Sequence, residues 1–129
     1  MTMNHWPNDY PLDVIIPPKD AIELDDQLYR CVTNDKPNSQ DFLASYKDPK
    51  QRHLARKHGK NPAFYATSFF NTESSIQSVI DGNPERFSGQ KIAKGHIKPP
   101  YGKGCYSQHN NHVSVWFYDG VIPNGFKVL

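Results

Sequence analysis

The most continuous apolar run in the chain is Ala63-Phe64-Tyr65-Ala66-Thr67-Ser68-Phe69-Phe70. A short run of this kind, bounded by polar turn signals, predicts a buried strand. Val113, Val115 and Phe117 alternate with Ser114, Trp116 and Tyr118. Both faces then carry apolar or aromatic groups, which predicts a central strand beside the first. Leu28-Tyr29-Arg30-Cys31-Val32 predicts a third strand, closed by the turn cluster Asn34-Asp35-Lys36-Pro37. Gln90 to Lys98 alternates less strictly and stops at Pro99-Pro100, and Phe126 to Leu129 is short enough for a final edge strand. Helical spacing occurs at Ile76, Val79 and Ile80, with Asn71 or Thr72 as the cap and Gly82-Asn83-Pro84 as the stop. Asn38 and Ser39 offer a cap for a short helix over Gln40 to Tyr46. A second cap, Asp48 with Pro49 at the first helical position and Gln51 as its box partner, predicts a helix ended by Gly59. Tyr101 to Asn111, rich in Gly and Asn, reads as a loop.

Strands interleaved with two or three short helices predict an α+β fold, a small single domain on a mixed or mostly antiparallel sheet. Pro7, Pro11, Pro17 and Pro18 set residues 1–19 apart as a proline-rich arm around Val14-Ile15-Ile16, either packed along the core or added as an edge strand, and leave 20–129 as the domain. The hydrophobic share is only 36%, but aromatics reach 12%, and their large buried area makes a core feasible in 129 residues. Such a composition excludes a disordered chain, and the absence of a long apolar run excludes a membrane-spanning helix. The first residues lack a basic start followed by an apolar block, so the expectation is a cytoplasmic protein with Cys31 and Cys105 as reduced thiols.

The net charge of +2 conceals two opposed segments. Asp20, Glu23, Asp25 and Asp26 make an acidic stretch, and Lys47 to Lys60 holds six Lys/Arg and two His against one acid. On a helix the basic run is a solvated face or a face for phosphate or an acidic partner.

Candidate chemistry concentrates between His58 and Ile76, read together with Leu28-Tyr29-Arg30. A strand carrying Tyr-Arg is followed by Phe-Tyr-Ala-Thr-Ser, then by a turn into a helix that begins near Glu73. This order resembles the ADP-ribosyltransferase-like superfamily, its RES-type toxin domains in particular, and covers residues 28–119 in element order. The resemblance implies an NAD-cleaving or ADP-ribose-transferring domain, a bacterial or phage toxin, with NAD as the substrate and a neutralising partner protein. It assigns catalysis to Arg30, Tyr65 and Glu73, and NAD binding to Arg30, Tyr65, Thr67 and Ser68. Those roles are chemically coherent. A guanidinium holds a pyrophosphate or ribose through paired hydrogen bonds. A Tyr ring stacks on nicotinamide. A carboxylate accepts a ribose hydroxyl and stabilises an oxocarbenium-like transition state. The chain departs from the arginine-type pattern in one respect: Gln108 to Ser114, where the final catalytic strand would carry a Glu, has no carboxylate.

Other constellations point elsewhere. His112-Val113-Ser114 matches half of a two-histidine phosphoesterase signature, and His109 with His112 suggests a small RNA-directed nuclease toxin. The Lys94 to Gly104 loop, with Tyr101 among lysines and glycines, suits RNA or phosphate contact but lacks the nucleotide P-loop order. Zinc would need His96, Cys105, His109, His112 and Asp119 to converge; the pattern suits ordinary loop polar groups better, and no metal is expected. A non-catalytic interaction or binding domain completes the alternatives.

Overall fold

The computed structural model describes residues 4–129, so the first three residues of the N-terminal arm lie outside the described residues. Its strands are β1 (Ile22–Glu23), β2 (Asp26–Val32), β3 (Thr67–Phe70), β4 (Lys91–Ile97), β5 (Gly102–Tyr106), β6 (His112–Phe117) and β7 (Lys127–Val128). They pair throughout in the antiparallel sense as one sheet of order β1-β5-β6-β3-β2-β4-β7. Two α-helices, α1 (Ala55–His58) and α2 (Glu73–Gly82), and several 3-10 turns complete a small α+β domain.

The central position expected for the Val113 strand is what the sheet order gives, since β6 lies between β5 and β3. Its two faces feed two cores. Val113 and Val115 pack with Leu28, Val32, Phe69, Ala93, Ile97 and Phe126. Trp116, one residue on, packs on the other side with Phe64, Tyr65 and Ala66. Helix α2 starts where expected, with the Thr72 side chain accepting from the Ser75 amide and buried Ile76 holding the helix to the sheet.

Four local expectations need correction, the first being that the short helix expected over Gln40 to Tyr46 is a 3-10 turn over Ser39–Phe42, capped by Asn38. The apolar run 63–70 is strand only over Thr67–Phe70, because Asn61 accepts from the Ala63 amide at 3.0 Å and Pro62 opens a 3-10 turn over Pro62–Tyr65. A capping signal outweighed an apolar run. The helix expected over 48–59 breaks into a turn, a 3-10 segment (Arg52–Leu54) and the four residues of α1. Here Asp48 uses one carboxylate oxygen on the Lys50 amide and the other on the Gln51 side chain, making a local turn instead of a capping box. Unopposed like charges give little support to a longer helix. Finally, the segment read as a loop holds β5, which pairs with both β1 and β6. Its glycines permit close packing: a Cβ at Gly104 would fall 2.8 Å from the Ser114 carbonyl oxygen.

The described part of the arm forms no strand and lies along the second core. Trp6 stacks on Tyr118 with ring centroids 4.5 Å apart, Tyr10 meets Tyr65 edge-on at 5.6 Å, and the Asp119 amide donates to the His5 carbonyl at 2.8 Å. Asp9 accepts from the Tyr46 hydroxyl at 2.8 Å and pairs with Lys47 at 2.7 Å. No helix of the described residues is long and apolar enough to cross a membrane.

Candidate functional site

The sheet splits at its middle. β2 is paired to β4 along all of Asp26–Val32, and β3 to β6 along all of Thr67–Phe70. Between them, β2 and β3 share one pair, Tyr29↔Phe70. Beyond it the strands part, and backbone groups that a ladder would satisfy need other partners. Arg30 supplies them: its guanidinium Nη1 donates to the Ser68 carbonyl at 2.7 Å and its Nε to the Asp41 carbonyl at 2.6 Å. The guanidinium lies 5.7 Å from the centroid of the Phe69 ring, a cation–π contact at the margin of the aromatic core. Burial draws Arg30 down to about 10, against the opposing pull of Cys31, Asp48 and Asp41, so it carries its charge at neutral pH.

Asp41 fixes the segment to which Arg30 is tied. The residue is 5% exposed, and its carboxylate accepts from the Thr33 amide, Thr33 hydroxyl, Asn34 side chain and Asn38 amide at 2.8–3.1 Å. Burial raises its pKa, but these hydrogen bonds outweigh burial and hold it below the usual carboxylate value.

The split opens into a cleft of about 630 Å³, within the size range of small-ligand sites. Arg30, Cys31, Ser68 and Phe70 form its floor. One wall comes from Asp48, Lys50, Gln51 and Leu54, another from Val79, Arg86, Phe87 and Gln90, and His112 contributes from the start of β6. Arg86 stacks its guanidinium over Phe87 at 5.1 Å. Three cations, Arg30, Lys50 and Arg86, thus face one carboxylate, Asp48, which gives the cleft a net positive charge suited to an anion. Burial lowers the pKa of His112, which keeps its imidazole neutral at pH 7, and the ring meets Phe70 edge-on at 5.4 Å. Burial raises the Cys31 thiol against the pull of Arg30 and Arg86, so it stays protonated.

The residues expected from the sequence fall into three places. Arg30 and Ser68 meet in the cleft. Tyr65 and Thr67 line a second, smaller cavity under the arm. The Tyr65 hydroxyl donates to the Gly59 carbonyl at 2.6 Å, and its ring packs on Tyr10 and Tyr46. The Thr67 hydroxyl donates to the Phe42 carbonyl at 2.9 Å and is buried. Glu73 is exposed at the start of α2 and is not one of the residues lining either cavity. Of the histidine pair, His112 reaches the cleft, whereas His109 is exposed and lines neither cavity. Among the described residues Arg30 forms no ion pair with the nearby acidic stretch: Asp25 pairs with His96, and Asp26 accepts from the Tyr106 hydroxyl. Among the described residues no three His, Cys, Asp or Glu side chains gather as metal ligands would, and both thiols are free.

Sequence reasoning missed Lys50, Asp48, Arg86 and His112 as members of one site. Lys50 stood inside the basic run; nothing in the local sequence around Arg86 marks it.

Fold and cleft together define a class: a small α+β domain with a cationic cleft where its antiparallel sheet divides. The chain matches no protein-family model, no curated protein and no solved structure.

Proposed function

We propose that the protein consumes NAD in the β2–β3 cleft, cleaving the bond between nicotinamide and ribose and passing ADP-ribose to water or to an acceptor. The observation that carries this reading is the meeting of Arg30 with Ser68 on the floor of a cleft that also holds Lys50 and Arg86. A dinucleotide brings a pyrophosphate, two riboses and two flat rings. Lys50 and Arg86 suit the pyrophosphate. Phe70 and Phe87 offer apolar surface to a ring. The Ser68 hydroxyl and neutral His112 offer polar contacts to ribose hydroxyls. With water as acceptor the products are nicotinamide, ADP-ribose and one proton, so nothing beyond NAD and water is consumed.

The departing nicotinamide leaves positive charge on the ribose, which a carboxylate stabilises. The resemblance assigns that task to Glu73. We place it instead on Asp48, the carboxylate among the cleft-lining residues. Asn at position 48 still caps the Lys50 amide, so Asp48→Asn tests charge with little change of fold. Nicotinamide release from millimolar NAD is expected to fall at least tenfold in Asp48→Asn and in Arg30→Ala, and to change less than twofold in Glu73→Gln. A loss confined to Glu73→Gln would return the role to Glu73. No release by the wild-type chain, together with no rise in melting temperature with NAD, would overturn the NAD reading.

A further inference from the structure

We propose that the basic face running from Lys50 to Lys57, beside the cleft, binds the phosphate backbone of a nucleic acid. No Asp or Glu occurs in the twenty-four residues between Asp48 and Glu73. Within that stretch Lys50, Arg52, His53, Arg56 and Lys57 are all exposed. Arg52–Leu54 runs directly into Ala55–His58, so Arg52, His53, Arg56 and Lys57 are crowded onto about two turns of helix. Crowding Arg52, Arg56 and Lys57 disfavours so short a helix, and none of these three side chains forms an ion pair among the described residues.

The acids that lie nearby are already engaged. Asp9 and Asp13, both on the arm, pair with Lys47 and Lys60, the two ends of the basic run. Asp48 is turned to the Lys50 amide and the Gln51 side chain. The middle of the run is therefore left as uncompensated positive charge. It also offers no large apolar side chain to a partner, since Leu54 is half-buried and belongs to the cleft wall and the second core. A protein partner would need an apolar centre in its interface. A phosphate backbone needs only closely spaced cations.

The surface is contiguous with the cleft through Lys50, Gln51 and Leu54, so a bound strand would lie at its mouth. Binding is independent of the NAD reading; only a role for the strand as acceptor of ADP-ribose would rest on it.

The test is fluorescence anisotropy of the full chain with a labelled single-stranded RNA of about twenty nucleotides, from 50 to 200 mM salt. Four contacting cations predict a log–log salt slope of about −3 and a loss of about 50-fold in affinity over that range. Arg52→Glu/Arg56→Glu/Lys57→Glu, all at exposed positions, is expected to weaken binding more than tenfold at 50 mM salt and to flatten the slope to about −1, with an unchanged circular dichroism melt. No binding at 50 mM salt overturns the proposal, as does undiminished binding by the folded triple variant. Poly-glutamate bound as tightly as RNA would also overturn it, in favour of an acidic protein. Nicotinamide release by the wild-type chain keeps the two readings apart: release by a wild-type chain that does not bind RNA sinks the docking surface alone, and RNA binding by a wild-type chain that releases none sinks the NAD reading alone.

Discussion

Replacing Arg30 by Lys keeps the charge on the floor of the cleft and removes the fork that bridges the divided sheet. The guanidinium reaches the Ser68 and Asp41 carbonyls at once, from Nη1 and Nε. A lysine ammonium is a single point on a flexible stem and keeps at most one of these bonds. A hydrogen bond from a charged donor contributes about 1.5–3 kcal/mol. Because the Ser68 end of the bridge opens to solvent, the freed carbonyl finds water, and the lower part of that range applies. The expected cost is about 2 kcal/mol. For a domain of this size each kcal/mol lowers Tm by roughly 3–5 °C, so Arg30→Lys should melt about 6–10 °C below wild type by calorimetry. Arg30→Ala, which loses both bonds and the contact with Phe69, should fall further. A shift under 2 °C for Arg30→Lys would show that the bridge does not hold β2 to β3. Equal loss in the Lys and Ala variants would show that the charge, and not the fork, has no role in stability.

Asp41 gives a pH-dependent counterpart. Its folded pKa lies below the ordinary value of 3.8, so its contribution is complete above the unfolded pKa and is lost as pH falls through the folded one. Asp41→Asn turns an amide donor toward backbone and side-chain donors. It should cost about 2–4 kcal/mol at pH 7, and the gap in Tm from wild type should narrow between pH 5 and pH 2; a constant gap would refute the role of the charge. At the arm, Trp6→Ala removes the stacking on Tyr118, worth about 1 kcal/mol beyond lost area. Hydrogen exchange at the Asp119 amide, bonded to the His5 carbonyl, should accelerate severalfold, and unchanged exchange would mean that Trp6 does not anchor the arm.

The parts of this fold that could be read from the sequence are those where local and long-range forces agree. β2, β4, β6 and α2 lie where alternation, helical spacing and caps put them, within one or two residues at their ends. The reading failed where a local turn signal competed with an apolar run, at Asn61-Pro62, and where glycines that look like a loop instead allow close packing, at Gly104. The same competition explains the site. Arg30 and Ser68 are assigned to one site by the resemblance and not by the hydrophobic pattern, which marks their two strands but not that the strands are neighbours. The apolar run puts Tyr65 on a strand with Ser68, but the turn at Pro62–Tyr65 carries its ring into the aromatic cluster under the arm. Lys50, Arg86 and His112 are distant from one another in the chain, and only the sheet order and the two connections that flank it bring them to one opening.

The position of the cleft also bears on how a ligand would be held. A cleft between domains closes by hinge motion, whereas this one lies inside a single sheet. β2 is paired with β4 at seven positions and β3 with β6 at four, so each side of the opening is fixed by a complete ladder. Arg30 spans the gap and Asp41, buried with four donors, holds its other end. The floor is therefore preorganised, and little ordering entropy is spent there on binding. The walls differ. Residues 48–54 and 86–90 are turn and short 3-10 segments whose cations, Lys50 and Arg86, are exposed side chains. Adjustment to a ligand would belong to these walls, whose charge would close over an anion lying on the fixed floor. Substitutions on the floor, Arg30→Ala among them, should then act on both stability and function, whereas Lys50→Ala and Arg86→Ala should weaken ligand binding with little change in Tm.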